Sequence, residues 1–216
     1  ENNYYGSDSF APGPWAVNSV NPADYSANLV YSVGVNDHFY RHFKYTSGAT
    51  VESMGDCSVR IVSTGENNRI YDNDIYNGAV GIEVYGTTNS FIYNNRIHNM
   101  AAQTIWVREG SYNTQIYDNT LYEANLNIRF PELEKGDRSI YVYRNFLYNP
   151  HDLGEHFYFH FDPREPAGVP ASPAEIWIYH NSLSGSDESL GIGDKAWDYG
   201  GLQKVYFFNN IFSSSK

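Results

Sequence analysis

Apolar and polar residues alternate in a fixed way around an asparagine that recurs along most of the chain. An apolar residue lies three positions before each asparagine and another lies two positions after it, as Ile70 and Ile75 do around Asn73. The recurring asparagines are Asn73, Asn95, Asn119, Asn145, Asn181 and Asn210. Subtracting successive positions gives spacings of 22, 24, 26, 36 and 29 residues. A period of this size is typical of stacked units with loops of variable length, so the pattern predicts a solenoid.

Each repeat predicts a strand, a sharp bend and a second strand. Short runs rich in Ile, Val, Tyr and Phe favour strands, and asparagine tolerates the left-handed backbone region that suits a bend. Stacked repeats would place each asparagine amide above the next, where the amides can hydrogen-bond along the axis. A third apolar run follows each bend, at residues 81–85, 104–108, 125–129, 156–160 and 189–193. Three strands per repeat predict a triangular coil.

The segments GIEV and NSFIYNNRIHN resemble the repeat of right-handed parallel β-helix proteins of the pectate-lyase-like superfamily. The resemblance covers about residues 36–216 and implies an all-β solenoid with three short strands per coil. With a degenerate first coil around His42, the repeats number about seven. In that family the asparagine ladder occupies the second turn. Residues 70–72 and their equivalents would then form the second sheet, residues 74–76 the third, and the GIEV-type segments the first.

Residues 1–35 lack this periodicity and contain three prolines, which predicts an extended arm or loop before a single β-helix domain at 36–216. No cap helix is recognisable at either end. Because an open terminal coil exposes unpaired backbone and apolar core, we expect either a longer helix or ends covered by other copies.

Composition narrows the partners and the location. A formal net charge of -11 argues against nucleic acid, whose binding requires a basic face. No apolar run is long enough to span a membrane.

Cys57 has no second cysteine to pair with and is expected to be a small buried residue. A secretion signal is either absent or already removed. The 20 tyrosines favour an extracellular protein, and the lack of glycosylation sequons favours a prokaryotic source.

In β-helix lyases the active site lies over the first sheet, so the resemblance directs attention to its outward residues. If Ile82 and Val84 face the core, these residues fall in two columns. One predicted column contains Arg60, Glu83, Trp106, Asn127 and Tyr158, and the other contains Tyr85, Arg108, Arg129 and His160. The predicted catalytic residues are Tyr85, Arg108, Arg129 and His160, and the predicted substrate-binding residues are Glu83, Trp106, Asn127, His156, Tyr158 and Arg164.

β-Elimination of a uronic-acid polymer requires a cation for the carboxylate, a base for the C5 proton and an acid for the leaving oxygen. Arg108 and Arg129 would hold the carboxylate, while His160 or Tyr85 supplies base or acid. The alternative is a ladder in which these arginines are solvated or paired with neighbouring glutamates. The partner expected on this interpretation is a polysaccharide. Loops at residues 130–139 and 162–175 would flank the groove.

Two further kinds of site stay open. A glycoside hydrolase would use two carboxylates, and the candidates are Glu83, Asp162, Glu165 and Asp194. The aspartate pairs typical of polygalacturonase-type hydrolases are missing, which favours a lyase. We expect no required cofactor. No set of residues has the spacing of a metal site, so no metal ligands are predicted. Calcium is the one metal considered, and its candidate oxygen donors are Asp152, Glu155, Asp162, Asp187 and Glu188.

A second regular column consists of aromatic residues two positions before each bend. They are Tyr40, Tyr71, Tyr93, Tyr117, Tyr143, Tyr179 and Phe208. Strand alternation predicts that they point outward, where they would stabilise the sheet, stack on sugars or pack against a neighbouring chain. A structural or adhesive module that self-associates into filaments is therefore the alternative to a polysaccharide lyase.

Overall fold

The computed structural model describes most of the chain from residue 66 onward. Complete residues are described at 66–76, 80–84, 87–107, 111, 113–130, 139–150, 154–159, 175–185 and 204–213. For residues 3–6, 30–32, 38–40, 42–45, 57–61 and 188–192 only the backbone strands are described. The predicted site residues Tyr85, Arg108, His160 and Arg164 lie outside the described residues.

Short strands form because β-branched and aromatic residues alternate with polar ones over three to five positions. The strands are β1 Asn3–Gly6, β2 Val30–Ser32, β3 His38–Tyr40, β4 His42–Tyr45, β5 Cys57–Ile61, β6 Arg69–Tyr71, β7 Asp74–Tyr76, β8 Val80–Val84, β9 Phe91–Tyr93, β10 Arg96–Val107, β11 Thr114–Tyr117, β12 Thr120–Phe130, β13 Ser139–Tyr143, β14 Phe146–Tyr148, β15 Glu155–Phe159, β16 Glu175–Tyr179, β17 Ser182–Ser184, β18 Glu188–Ile192, β19 Lys204–Phe208 and β20 Ile211–Ser213.

The strands stack in parallel into a β-solenoid, which confirms the predicted fold class. The second sheet has the order β19-β16-β13-β11-β9-β6-β3. The third sheet contains β4, β7, β14, β17 and β20, and the first contains β2, β5, β8, β15 and β18. About four coils are described in full, while parts of the other predicted coils lie outside the described residues. Within the described part, no helix is long and apolar enough to cross a bilayer.

Two coils depart from the expected three short strands. In these coils β10 and β12 run without interruption from the third sheet into the first. Their pairing changes register between Met100 and Gln103, because β10 has one more residue than β12 at this point. The extra residue bends the strand, as a bulge does, and shifts every later pairing in β12.

The core is a column of aliphatic side chains inside the coils. Every second residue of a strand points inward, and the same kind of residue stacks from coil to coil. Ile70, Ile92, Ile116, Val142 and Ile178 fill the second-sheet side and are fully buried. Phe130, Phe157 and Phe159 form an aromatic group on the first-sheet side, with ring centroids of Phe130 and Phe159 4.8 Å apart.

The asparagine ladder is present from Asn73 to Asn210. In each step the backbone N–H and the side-chain amide of one asparagine donate to Oδ1 of the next. At Asn95, for example, both bonds to Asn119 measure 3.0 Å. The amide also donates to backbone carbonyls of its own turn and of the coil below, as Asn119 does to Ile92 at 2.9 Å. The ladder therefore ties each coil to the next through buried polar groups.

The expectation that the ladder asparagine itself adopts the left-handed conformation is wrong. The residue with positive φ is the one just before it, and these residues are Asp72, Asn94, Asp118, Arg144, His180 and Asn209. A left-handed residue at that point turns the next residue inward, so that its amide can reach the ladder. Three different residue types beside asparagine tolerate this position.

A second, shorter asparagine ladder joins the first sheet to the second. Asn89 donates to Asn67 at 3.0 Å and Asn113 donates to Asn89 at 3.1 Å, and all three have positive φ. After the third sheet, Gly185 has a φ of 80°. A Cβ there would lie 2.6 Å from Oδ1 of Asn149, so this position requires glycine on grounds of both conformation and space.

The predicted arm at 1–35 contains two strands that join the solenoid. β1 pairs in parallel with β4, and β2 pairs in parallel with β5. The boundary at residue 35 stays a prediction.

Candidate functional site

The first sheet presents one outward column whose register is now defined. Arg60 pairs with Glu83, Glu83 with Trp106, Trp106 with Arg129, Arg129 with Tyr158, and Tyr158 with Gly191. Neighbouring members of the column are one strand spacing apart, about 4.8 Å. The column thus places an arginine between two aromatic residues on a rigid sheet.

The predicted position of Asn127 beside Trp106 is wrong. Trp106 pairs with Arg129, two residues later, since Ile128 aligns with Ile105 after the bulge in β10. Arg129 consequently belongs to the column of Glu83 and Trp106 and not to that of Tyr85 and Arg108. The roles predicted for these residues stay predictions.

Arg129 is held by its neighbour on the sheet. Its guanidinium carbon lies 4.6 Å from the centre of the Trp106 ring, within the range of a cation–π interaction. Both side chains are partly exposed, as is Tyr158. Glu83 is the neighbour of Trp106 on the side opposite Arg129. Because Glu83 is only 1% exposed, its carboxylate is shielded from solvent. The part of this column open to a ligand is therefore cationic and aromatic.

A fully buried polar row lies beside the column. The Thr104 hydroxyl donates to the carbonyl oxygen of Asn127, and the Asn127 amide nitrogen lies 2.9 Å from Nδ1 of His156. All three residues are 0% exposed. Asn127 and His156, which are predicted to bind substrate, are hence fully buried beside the column, and their role in binding stays a prediction.

His156 is neutral over the physiological range. Burial lowers the pKa of His156 from 6.5 to about 4, and a backbone hydrogen bond with Ser184 opposes this shift more weakly. Because the Asn127 amide donates to Nδ1, the proton of the neutral ring belongs on Nε2. Nε2 and Oδ1 of Asn127 make no hydrogen bond of good geometry with the described residues.

A polar and aromatic cluster on the third sheet was not predicted. Asp74 lies 3.4 Å from Nε2 of His98 and 3.8 Å from Nη1 of Arg96. Arg96 donates to the Tyr122 hydroxyl through Nε, at 2.9 Å, and through Nη2. A hydrogen bond also joins Tyr148 to Tyr122.

The rings of this cluster stack along the axis in the order Tyr76, His98, Tyr122, Tyr148, with centroids 5.3, 4.7 and 4.5 Å apart. Burial, followed by the nearby Arg96 cation, lowers the pKa of His98, while Asp74 opposes the shift. The sequence feature that could have revealed this cluster is an aromatic residue three positions after the ladder asparagine.

Metal ligation has no support in the described residues, which contain no group of three or more His, Cys, Asp or Glu side chains that could hold an ion. Of the calcium candidates, only Glu155 is described with its side chain. Glu188 is described only as backbone in β18, and Asp152, Asp162 and Asp187 lie outside the described residues. The hydrolase candidates Asp162, Glu165 and Asp194 lie outside as well.

Comparison with known proteins agrees with this architecture. A family model described as a right-handed beta helix region matches residues 28–151. No curated protein matches the chain. Among solved structures, a mutant of the periplasmic alginate epimerase AlgG matches at 15% sequence identity and a TM-score of 0.36. This match covers 83% of the present chain and 50% of the other, so the chain spans about half the length of that structure. The family match extends over more than half of the sequence, and the chain belongs to the right-handed beta helix family.

Proposed function

We propose that this protein is an extracellular polysaccharide lyase that cleaves a uronic-acid polymer by β-elimination on the outer face of the first sheet. The observation that carries the proposal is Arg129, held over Trp106 and next to Tyr158 on adjacent strands. A fixed cation beside aromatic rings suits a sugar acid, whose carboxylate and apolar ring face need different partners.

The reaction assigns one task to each residue type. Arg129, with Arg108, neutralises the uronate carboxylate and stabilises the negative charge that develops when the C5 proton leaves. The electrons of the C5–H bond form the C4–C5 double bond while the C4–O bond breaks. His160 or Tyr85 takes the proton, and the other protonates the leaving oxygen.

Replacing Arg129 by alanine is expected to lower kcat/KM for such a polymer on the order of 100-fold, the usual loss when one charge-stabilising donor is removed. The formation of the unsaturated uronate is followed by its ultraviolet absorbance. Folding should survive, since the side chain points outward and is partly exposed.

Arg144→Ala is the matched control. Arg144 is also an exposed arginine lying over aromatic rings, but it stands at the bend that follows the second-sheet strand β13, away from the first sheet. Equal activity of the wild type and Arg129→Ala on a confirmed substrate would contradict the proposal, as would an equal loss in Arg144→Ala.

A structural module that associates end to end is the second candidate. The coil of β19 and β20 exposes Val205, Phe207, Phe208, Ile211 and Phe212, with Ile211 66% exposed. Val205, Phe207 and Phe212 pair with the core residues Ile176, Ile178 and Leu183, while Phe208 and Ile211 lie on the outward rows of the same strands. Core residues open to water on a sheet edge favour stacking with another coil.

Ile211→Lys tests this candidate, because a charge on the exposed edge opposes docking of a second coil. We expect wild-type filaments or oligomers in negative-stain electron microscopy and sedimentation, and shorter species for the variant. Assemblies of unchanged length in the variant would contradict this function without affecting the lyase proposal.

A further inference from the structure

Among the described side chains, the second sheet carries an outward ladder of six aromatic rings. The rings of Tyr71, Tyr93, Tyr117, Tyr143, Tyr179 and Phe208 are 5.0, 5.0, 5.0, 5.1 and 5.0 Å apart and within 9° of parallel. Each ring face within the ladder is covered by its neighbours. What the ladder presents to solvent is therefore a row of ring edges with phenol hydroxyls at a constant step.

A second outward column runs beside this ladder on the same strands. Its members, in register, are Arg69, Phe91, Gln115, Tyr141, Trp177 and Tyr206. Trp177 and Tyr206 stack with centroids 4.1 Å apart. All six side chains are partly exposed. The two columns together are called the aromatic face below.

We propose that the aromatic face binds an extended, uncharged polysaccharide that lies along the solenoid axis. The Tyr143 hydroxyl donates to Oε1 of Gln115 in the neighbouring column, at 3.1 Å. A row of phenol groups at one fixed step is nevertheless matched best by a partner with a repeat of its own, which is a property of a linear polymer. One strand spacing, about 4.8 Å, is comparable with the length of one sugar unit in an extended chain. Tyrosine and tryptophan offer apolar area and a polar tip together, as a sugar surface requires.

Two arginines beside this face are already paired or covered. Arg144 makes a bidentate pair with Asp118, at 2.8 and 2.6 Å. The Arg69 guanidinium lies over Phe91, 5.2 Å from the ring centre. Burial is the main cause that raises the pKa of Tyr93 and Tyr117, so the phenols stay neutral donors over the whole range in which the protein would work. The face thus favours a neutral ligand over an acidic one.

The size of the face argues against a second copy as the occupant. Five steps of the ladder span about 25 Å, and the two columns are roughly 12 Å wide, which gives about 300 Å². A stable protein interface buries about 800 Å² per partner. A polysaccharide chain needs no such area, because a rigid, preorganised row of contacts lowers the entropy lost on binding.

The aromatic face lies on a different sheet from Arg129, and the proposal holds whether or not the first sheet is catalytic. It is tested with Arg129→Ala as the parent protein, so that substrate binding at the first sheet does not interfere. The probes are microcrystalline cellulose and insoluble chitin in co-sedimentation, and soluble mixed-linkage β-glucan and galactomannan in affinity electrophoresis. We expect retention on at least one of them, unchanged at about 1 M salt, where exposed charges are screened within about 3 Å.

The decisive variant replaces Tyr93, Tyr117 and Tyr179 by phenylalanine. Phe208 stacks on Tyr179 at 5.0 Å and 2°, so phenylalanine fits the ladder and the stacking is kept. Loss of three hydroxyls is expected to weaken binding at least tenfold, with an unchanged melting temperature. Tyr76→Phe with Tyr148→Phe is the matched control on the third sheet and should bind as the parent does.

Four outcomes would overturn the proposal. The first three are no retention on any of the four probes, equal retention of the ladder variant and the parent, and retention that disappears at high salt. A dimer in sedimentation that the ladder variant abolishes would also overturn it, in favour of a second copy. Loss of turnover in the original Arg129→Ala experiment bears on the lyase alone.

Discussion

Asn119→Ala is expected to remove about 2–6 kcal/mol of unfolding free energy, since it leaves at least two buried polar groups unpaired at about 1–3 kcal/mol each. Oδ1 of Asn119 accepts from the backbone and side chain of Asn95, both at 3.0 Å. Its amide donates to the carbonyl of Ile92 and to Oδ1 of Asn145. Alanine offers none of these groups, and Asn119 is 1% exposed, so water cannot replace them easily.

The measurement is urea unfolding followed by circular dichroism, with the m-value recorded as well. A domain has about 5–15 kcal/mol of stability, so this variant should lose a large fraction of the total. Because each coil contacts only its neighbours, the loss can also split the transition into two and lower m.

Asn210→Ala is the control at the exposed coil. Asn210 accepts from Asn181 at 2.9 and 3.0 Å and donates to Ile178, but it is partly exposed. Water can satisfy the groups that it leaves, and the loss should be well below that of Asn119→Ala. Equal losses for the two variants would show that burial does not set the strength of the ladder.

The two ladders of the second sheet could be predicted from the sequence because both are local. The apolar residue, the tyrosine and the asparagine stand at fixed positions within six residues, and a parallel solenoid converts the repeat directly into columns. The structure contains both predicted columns, the asparagine ladder from Asn73 to Asn210 and the aromatic ladder from Tyr71 to Phe208.

The first-sheet column could be predicted only in part, because its register depends on the bulge in β10. The sequence does not mark which residue of that strand is unpaired, and both Leu126 and Ile128 are reasonable partners for Ile105. In the structure Ile105 pairs with Ile128. This register brings Phe130 beside Val107 at the core and Arg129 beside Trp106. A shift of two residues keeps the inward pattern intact, so hydrophobicity alone cannot detect it.

The burial of Asn127 and His156 was equally hidden from sequence reasoning. Each lies two residues before a partly exposed residue, Arg129 or Tyr158, so strand alternation predicts that its side chain also points outward. Both residues are nevertheless fully buried. A polar residue whose surroundings come from another coil gives no local signal. Ser184, whose backbone contacts His156, belongs to the next coil of the solenoid.

The buried histidine makes the stability of this protein depend on acid. The pKa of His156 is about 4 in the folded protein and about 6.5 in the unfolded chain. Between these values the unfolded state binds a proton that the folded state does not, so stability is fully present above pH 6.5 and falls as the pH drops towards 4. At about 1.36 kcal/mol for each pH unit between these two pKa values, the loss from this residue alone is about 3 kcal/mol.

His156→Gln isolates this contribution, because glutamine keeps an acceptor for the Asn127 amide but does not titrate. The difference in unfolding free energy between wild type and variant, measured from pH 8 to about 4, cancels the titration of the carboxylates they share. We expect wild type to lose about 3 kcal/mol relative to the variant across this range.

His98→Gln supplies the comparison on the third sheet. The pKa of His98 is also lowered by burial, but the Asp74 carboxylate 3.4 Å away opposes the shift, and the ring is partly exposed. The difference curve for His98 should therefore slope in the same direction and be shallower. A flat curve for His156 would mean that the Asn127 amide turns so that its oxygen accepts from the newly protonated Nδ1, and that the buried polar row tolerates a proton.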